Sequence, residues 1–484
     1  MPQEIARHKT ALTRPSLSRP VKLALEDGLL HSGTRIFDYG CGRGDDLRML
    51  HSLGIEGSGW DPVHQPDKPL RSAPIVNLGY VVNVIEDPRE RQETLIRAWS
   101  LTERLLIVSA RLVVEARDTG QIESFADGYL TSRGTFQKFF EQHELKDWVE
   151  QVLGTAAIAA GPGVFYVFRD EKDHATFLAS RYRRRAVVPR LTRSEALFNQ
   201  YQPLLQPLMH FVAERGRLPV DHEIANIAKL HEVFGTTKRA FRLIEQMTEK
   251  TQWTQITEER TQDLLIAIAL SRFDGRPKFA QLPLDLQYDI KSFFSTYKQA
   301  CTQADNLLFS VGNMALVNQA CEASKVGKLT PTALYCHVRA LELLSPILRV
   351  FEGCARGYIG RVEEANIIKL YRHEPIVSYL IYPDFEVDPH PALAYSLTVH
   401  FQTLRIESRD YRNYQNPPIL HRKETFLPPN HPLYAKFARL TRMEEAKGLY
   451  KNTRRIGTRE GWKDLLEEKG VCLRGHRLLK KLDL

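Results

Sequence analysis

Residues 37–46 read Phe-Asp-Tyr-Gly-Cys-Gly-Arg-Gly-Asp-Asp. Gly40, Gly42 and Gly44 alternate with other residues, Asp38 stands two before the first, and Asp45 and Asp46 close the stretch. The preceding "TRIFDYG" reads as a strand and the following "DDLRMLHSLG" as a helix. A glycine-rich turn between a strand and a helix N-terminus suits a nucleotide-like ligand, because glycines admit close backbone approach and the helix end offers free amides. A dinucleotide loop reads G-x-G-x-x-G. Here the spacing is G-x-G-x-G, with Asp45 where that loop has its third glycine. Two acids at the helix start repel a pyrophosphate but tolerate a cationic ligand.

Outward from the loop, strand-like and helix-like segments alternate. "IEGSGWD", "PIVNLGYV" and "RLLIVSAR" read as strands and "DPRERQETLIRAWSLT" as a helix, which predicts an α/β fold with a mostly parallel sheet. A further helix is expected from Arg19 to Leu30, and "VFYVFR", after the turn Gly161-Pro162-Gly163, as a closing edge strand. Only about a dozen residues separate Asp61 from the strand beginning near Ile75, so a shortened sheet is expected. Beyond the arginine-rich linker Arg181–Arg193 the apolar spacing becomes helical up to about Arg349. "ANIIKLYRH", "PIVSYLIYP" and "SLTVHFQTLRIESRD" then read as strands, and the basic tail from Lys447 to Leu484 as helical. The expected domains are 1–185, an α/β domain with a basic N-terminal segment; 186–350, helical; and 351–484, α+β with a basic helical tail.

At 484 residues the chain is long enough for two to three domains. A net charge of +9 favours polyanions, and solubility explains it equally well. The six cysteines form no C-x-x-C pair, so neither a zinc nor a disulfide framework is expected. The start "MPQEIARHKT" is unlike a secretory signal, and the longest uncharged run, Gln151 to Phe168, is broken by Gly161-Pro162-Gly163. A reducing, cytoplasmic setting without membrane or metal is expected.

The pattern D-x-G-x-G-x-G resembles motif I of class I S-adenosylmethionine-dependent methyltransferases, which have a Rossmann-like sheet. The resemblance implies S-adenosylmethionine as cofactor, held by Asp38, Gly40, Gly42, Gly44 and Asp61, the last resembling the acid that binds the ribose hydroxyls. The short stretch after Asp61 departs from the superfamily, which fits a helix and a third strand there. "ARHKTALTRPSLSRPVKLALEDGLL", "GWDPVHQP", "NLGYVVNVIEDPRER", "LRVFEGCARGYIG", "YPDFEVDPHPAL" and "NPPILHRKETF" further resemble the methyltransferases associated with DNA phosphorothioation gene clusters. That likeness covers nearly the whole chain and implies a bacterial protein linked to sulfur-modified DNA.

In this superfamily the segment after the fourth strand faces the transferable methyl. Here it supplies Asn77, Gly79, Tyr80 and Asn83. Gly79 would let a planar acceptor approach, Tyr80 would stack on a flipped base, and Asn77 would bond its edge. The competing reading makes Tyr80 a core aromatic and Asn77 a strand-end cap. No cysteine nucleophile lies in this segment, which sets cytosine C5 chemistry aside. "NPPI" at Asn416–Ile419 reads as a proline-rigid turn, or as an acceptor motif if it folds over the cofactor. Asp384, Asp388 and His390 read as an ordinary loop or as a small cluster. Residues 214–244 read as two helices joined by a short turn, with Lys238, Arg239 and Arg242 on the second, either a plain hairpin or a DNA-reading pair. The leading expectation is methyl transfer to nucleic acid, with DNA of a phosphorothioation-linked modification or defence system as the substrate; the alternative is a catalytically degenerate regulator that binds S-adenosylmethionine and nucleic acid.

Overall fold

The computed structural model describes residues 5–11, 13–118, 122–184, 188–189 and 196–481. Arg185, Arg190 and Arg193 of the arginine-rich linker lie outside the described residues. The chain forms two units, Met1–Asp170 with Val311–Leu484, and Glu171–Ser310.

The first unit opens with α1 (Arg19–Glu26), which has Pro20 in its first turn, where a missing amide costs nothing. Then follow β1 (Arg35–Tyr39), α2 (Asp45–Ser52), β2 (Glu56–Trp60), β3 (Ala73–Gly79), α3 (Pro88–Leu101) and β4 (Thr102–Ser109). The side chain of Asp87 caps α3 by accepting from the amide of Arg89, with Pro88 in the first turn. A small three-stranded sheet is inserted next: β5 (Ile122–Phe125), β6 (Gly128–Thr131) and β7 (Phe136–Gln137). The segment closes with α4 (Gln142–Leu153), β8 (Ala157–Gly161) and β9 (Val164–Phe168).

The main sheet runs β2-β1-β3-β4-β9-β8. Its first four strands are parallel, and β9 and β8 are antiparallel to their neighbours, which gives a mixed Rossmann-like sheet. Phe37, Val76, Leu78, Leu106, Val108 and Phe165 carry its core. Residues 61–72, between β2 and β3, hold turns and a single bridge, Asp61 to Gln65. The expectation that "VFYVFR" closes the sheet is corrected: β9 lies inside and β8 forms the edge. In "AIAAG" before the turn only Ile158 carries the β-branched or aromatic signature of a strand, yet all five residues are buried there.

The second unit contains α5 (Glu171–Arg181), α6 (Ala196–Arg215), α7 (Ile227–Phe234), α8 (Thr237–Met247), α9 (Lys250–Leu270), α10 (Leu284–Phe293) and α11 (Tyr297–Ser310). Its helical period was legible, but its bounds are 171 and 310 rather than 186 and 350. The period misleads because α12 (Met314–Glu322) and α13 (Pro346–Ile359) are also helical and pack on a sheet of the first unit. That second sheet is antiparallel: β10 (Lys328–Leu329), β11 (Ala333–His337), β12 (Ile367–Tyr371), β13 (Ile376–Ile381), β14 (Tyr395–His400) and β15 (Arg405–Asp410), in that order.

The chain ends with α14 (Tyr434–Ala446), α15 (Arg459–Glu468), β16 (Val471–Arg474) and β17 (Arg477–Lys480). The expected helical tail is therefore helix and hairpin. Gly475, at φ 53°, supplies the left-handed residue of a two-residue turn. The two parts of the first unit meet at Gly360–Glu363. The amide of Arg361 donates to the carbonyl of Ala160, and Arg19 pairs with Glu363 at 3.0 Å.

Candidate functional site

The order of the main sheet reverses about β1, which sends β2 to one side and β3 to the other. In an open α/β sheet, the crevice beyond the C-terminal strand ends at such a reversal is where ligands bind. A cleft of about 910 Å³ opens there.

The glycine loop forms one wall. Gly40, Gly42 and Gly44 have φ of 81°, 52° and 75°, all left-handed, which explains why each position takes glycine. A Cβ on Gly40 would overlap the side chain of Val81. Asp61, at the end of β2, holds the loop in place: its Oδ2 accepts from the amide of Gly42 at 3.0 Å, and its Oδ1 from Val63 and His64 at 2.9 and 2.8 Å. A carboxylate offers about four acceptor directions, so three amides leave room for a ligand donor.

Asp38 lies beneath the loop. Burial, followed by the charge of Asp46, pushes its carboxyl up to about 7, and the Nδ2 of Asn77 opposes this by donating to its Oδ1 at 2.8 Å. Asn77 is 2% exposed, and its Oδ1 has no hydrogen-bond partner. Asn83, 1% exposed, donates to Gln137 at 3.0 Å and likewise keeps an unpartnered Oδ1. Both residues line the cleft. Each thus keeps a buried acceptor that the protein itself does not use.

Tyr80 has φ 58°, an unusual conformation for a bulky residue. Its amide donates to the carbonyl of Ser109, and its half-buried ring lines the cleft 5.7 Å from the Arg14 guanidinium. It is thus a wall residue, not a fully buried core aromatic. Gly79 lines the cleft. A Cβ there would meet the amide group of Asn77 at 3.0 and 3.2 Å and Pro20 at 3.4 Å, so glycine also serves the protein's own packing. Burial raises the thiol of Cys41 to about 12, with Asp38 contributing, which makes it a poor nucleophile.

Two parts of the site escaped the sequence reading. The first is the N-terminal segment. The amide of Arg14 donates to Asp45 at 2.8 Å and that of Ser18 to Asp46 at 2.7 Å, while the Arg7 guanidinium grips Glu86 and Glu90. Asp45 and Asp46, besides opening α2, thus tie this strap across the glycine loop. The second is the small inserted sheet, which supplies Thr131, Arg133 and Gln137. Only the cation-rich, proline-interrupted composition of "ARHKTALTRPSLSRP" hinted at a strap. The lining carries both signs of charge: Lys9, Arg43, Arg97, Arg111 and Arg133 make no ion pair among the described residues, and Glu90, Glu93 and Glu115 line the same cleft.

The remaining sequence candidates do not line this cleft. Asn416 caps α15 by accepting from the amide of Glu460, and Pro418 bridges to Thr458, so "NPPI" is a structural turn. His390 is buried against Glu444 at 2.7 Å, and Asp388 accepts from the amide of His390, so that loop is structural as well.

No protein-family model and no curated protein matches the chain. Solved structures similar to it include the 1,6-didemethyltoxoflavin-N1-methyltransferase of Burkholderia thailandensis with S-adenosylhomocysteine, 14% identical over 34% of this chain and 79% of its own, at TM-score 0.23. A magnesium protoporphyrin IX methyltransferase from Synechocystis with bound S-adenosylhomocysteine is 13% identical over 31% and 80%, at 0.22. A SAM-dependent methyltransferase from Aquifex aeolicus is 16% identical over 32% and 92%, at 0.22. These similarities span about a third of the chain.

Proposed function

We propose that the chain is an S-adenosylmethionine-dependent methyltransferase acting on nucleic acid, with DNA of a phosphorothioation-linked modification or defence system as the leading substrate. The observation that carries this reading is the left-handed glycine loop clamped by Asp61 at the sheet reversal, opening into a cleft whose lining includes the unpaired cations Lys9, Arg43, Arg97, Arg111 and Arg133. The donor set fits the cofactor. Asp61 takes the ribose hydroxyls on its free acceptor directions, and Asp38 and Asn77 face an ammonium donor. Bound S-adenosylmethionine supplies an electrophilic methyl group. Tyr80 stacks the acceptor base, the Oδ1 of Asn83 accepts from its edge, and those unpaired cations hold the phosphates.

Calorimetry and radiolabelled transfer test the proposal. S-adenosylmethionine and its demethylated product should bind and NAD should not, and label should pass to DNA. Binding of NAD alone overturns the cofactor, and label passing only to small molecules overturns the acceptor. The second reading, a binding-only regulator, is favoured by Asn77, whose amide is spent on Asp38. Tight cofactor binding with no transfer to modified DNA, unmodified DNA or RNA would establish it.

A further inference from the structure

In the helical unit several arginines converge on shared carboxylates. Arg215 and Arg217 share Asp289, Arg184 and Arg260 share Asp263, and Arg272 and Arg276 share Asp305. One helix departs from this. On α8, Thr237, Ala240, Ile244 and Met247 are buried, and Lys238, Arg239, Arg242 and Gln246 form the opposite, exposed stripe. None of those three cations makes an ion pair among the described residues.

We propose that this face of α8 is a docking surface for duplex DNA. It rests on the nucleic-acid reading above only for the identity of the polyanion, and it is independent of any chemistry in the cleft. The helix is presented rigidly. α7 ends at Gly235, φ 77°, and only Gly235 and Thr236 intervene before α8. Thr236 caps α8 through the amide of Arg239, and His231 Nε2 meets Thr237 Oγ1 at 2.9 Å, which ties the two helices together. From Lys238 to Gln246 the stripe runs roughly 12 Å along the axis, at ~1.5 Å per residue, and a helix about 10–12 Å across fits the roughly 12 Å width of the major groove. Charge complementarity selects the occupant. An anionic membrane would call for exposed apolar residues beside the cations, but Phe241 and Leu243 pack into the core of the unit. Gln246 adds an amide able to bond a base edge.

The test is fluorescence anisotropy of a labelled 30-base-pair duplex on the full chain across a salt series. Lys238→Gln/Arg239→Gln/Arg242→Gln should weaken binding at least tenfold at moderate salt and reduce the slope of log affinity against log salt by about 2.7, at ~0.9 per phosphate contact. Arg242→Gln alone, a change at an exposed position, should reduce it by about 0.9 with native melting. Unchanged slope and affinity in either folded variant overturn the proposal, as does a loss seen with single-stranded RNA but not with duplex. Calorimetry of S-adenosylmethionine on the same variants separates the two ideas. If the cofactor fails to bind while the slope still falls, the cleft reading fails and the α8 surface stands.

Discussion

Tyr80 carries a side chain where the backbone favours glycine. A bulky residue at positive φ costs roughly 1–2 kcal/mol, and such strain collects at functional sites. Tyr80→Gly should relieve about 1 kcal/mol of it, while the half-buried ring forfeits a comparable amount. Melting should therefore shift by only a few degrees while methyl transfer is lost and cofactor affinity is kept. Scanning calorimetry with radiolabelled transfer checks this; a collapse of both stability and cofactor binding would return Tyr80 to the core. Asp38 gives a pH prediction. Its carboxyl is raised by burial to about 7, so the folded state holds a proton that the unfolded chain gives up near 4. The stability it contributes is complete below about pH 4 and is lost as pH rises through about 7. Asp38→Asn should therefore raise stability at pH 8, by on the order of 1–4 kcal/mol, and make no difference near pH 4. Denaturant titrations across that range would show it, and equal gains at both ends would refute it. At this scale the glycines were legible because left-handed backbone leaves little choice of residue. The orientation of Asn77 was not, because it depends on a partner 39 positions away.

Among elements, the strap is held to the loop by backbone amides and to α3 by Arg7. Arg7→Ala removes the grip on Glu86 and Glu90, both partly exposed. It should cost under about 1 kcal/mol of stability yet speed cofactor release severalfold in stopped-flow displacement. An unchanged release rate would mean the strap does not cover the ligand. The alternation around the glycine loop was legible because strands buried on both faces and helices with one apolar stripe differ in period. The sheet edge was not, because alanine and glycine carry no strand signature. Gly475-His476 was a readable hairpin signal, obscured by the basic residues around it.

The whole molecule pairs a unit assembled from two distant stretches of chain with a helical unit made from one. Two cores predict at least two calorimetric transitions. S-adenosylmethionine, whose proposed cleft lies wholly in the first unit, should raise only that unit's transition, by about 2.7 kcal/mol at 100 times its dissociation constant. A uniform shift of both transitions would contradict this. The discontinuity was invisible to sequence patterning, which is local, whereas the contacts that close the unit, such as Arg19 with Glu363, span hundreds of positions.

The seam at β8 bears on how the protein is made. A ribosome releases "AIAAG", an apolar sheet edge, long before Arg361, whose amide meets Ala160, has been translated. At ~5–20 residues per second the edge waits roughly ten to forty seconds for its cover. Unpaired apolar edges invite intermolecular strand addition. The nascent chain therefore passes through a vulnerable interval in which chaperone capture competes with aggregation. A fragment that stops at residue 170 never leaves that state and should accumulate as inclusion bodies, and supplying residues 311–484 in the same cell should recover part of it in soluble form.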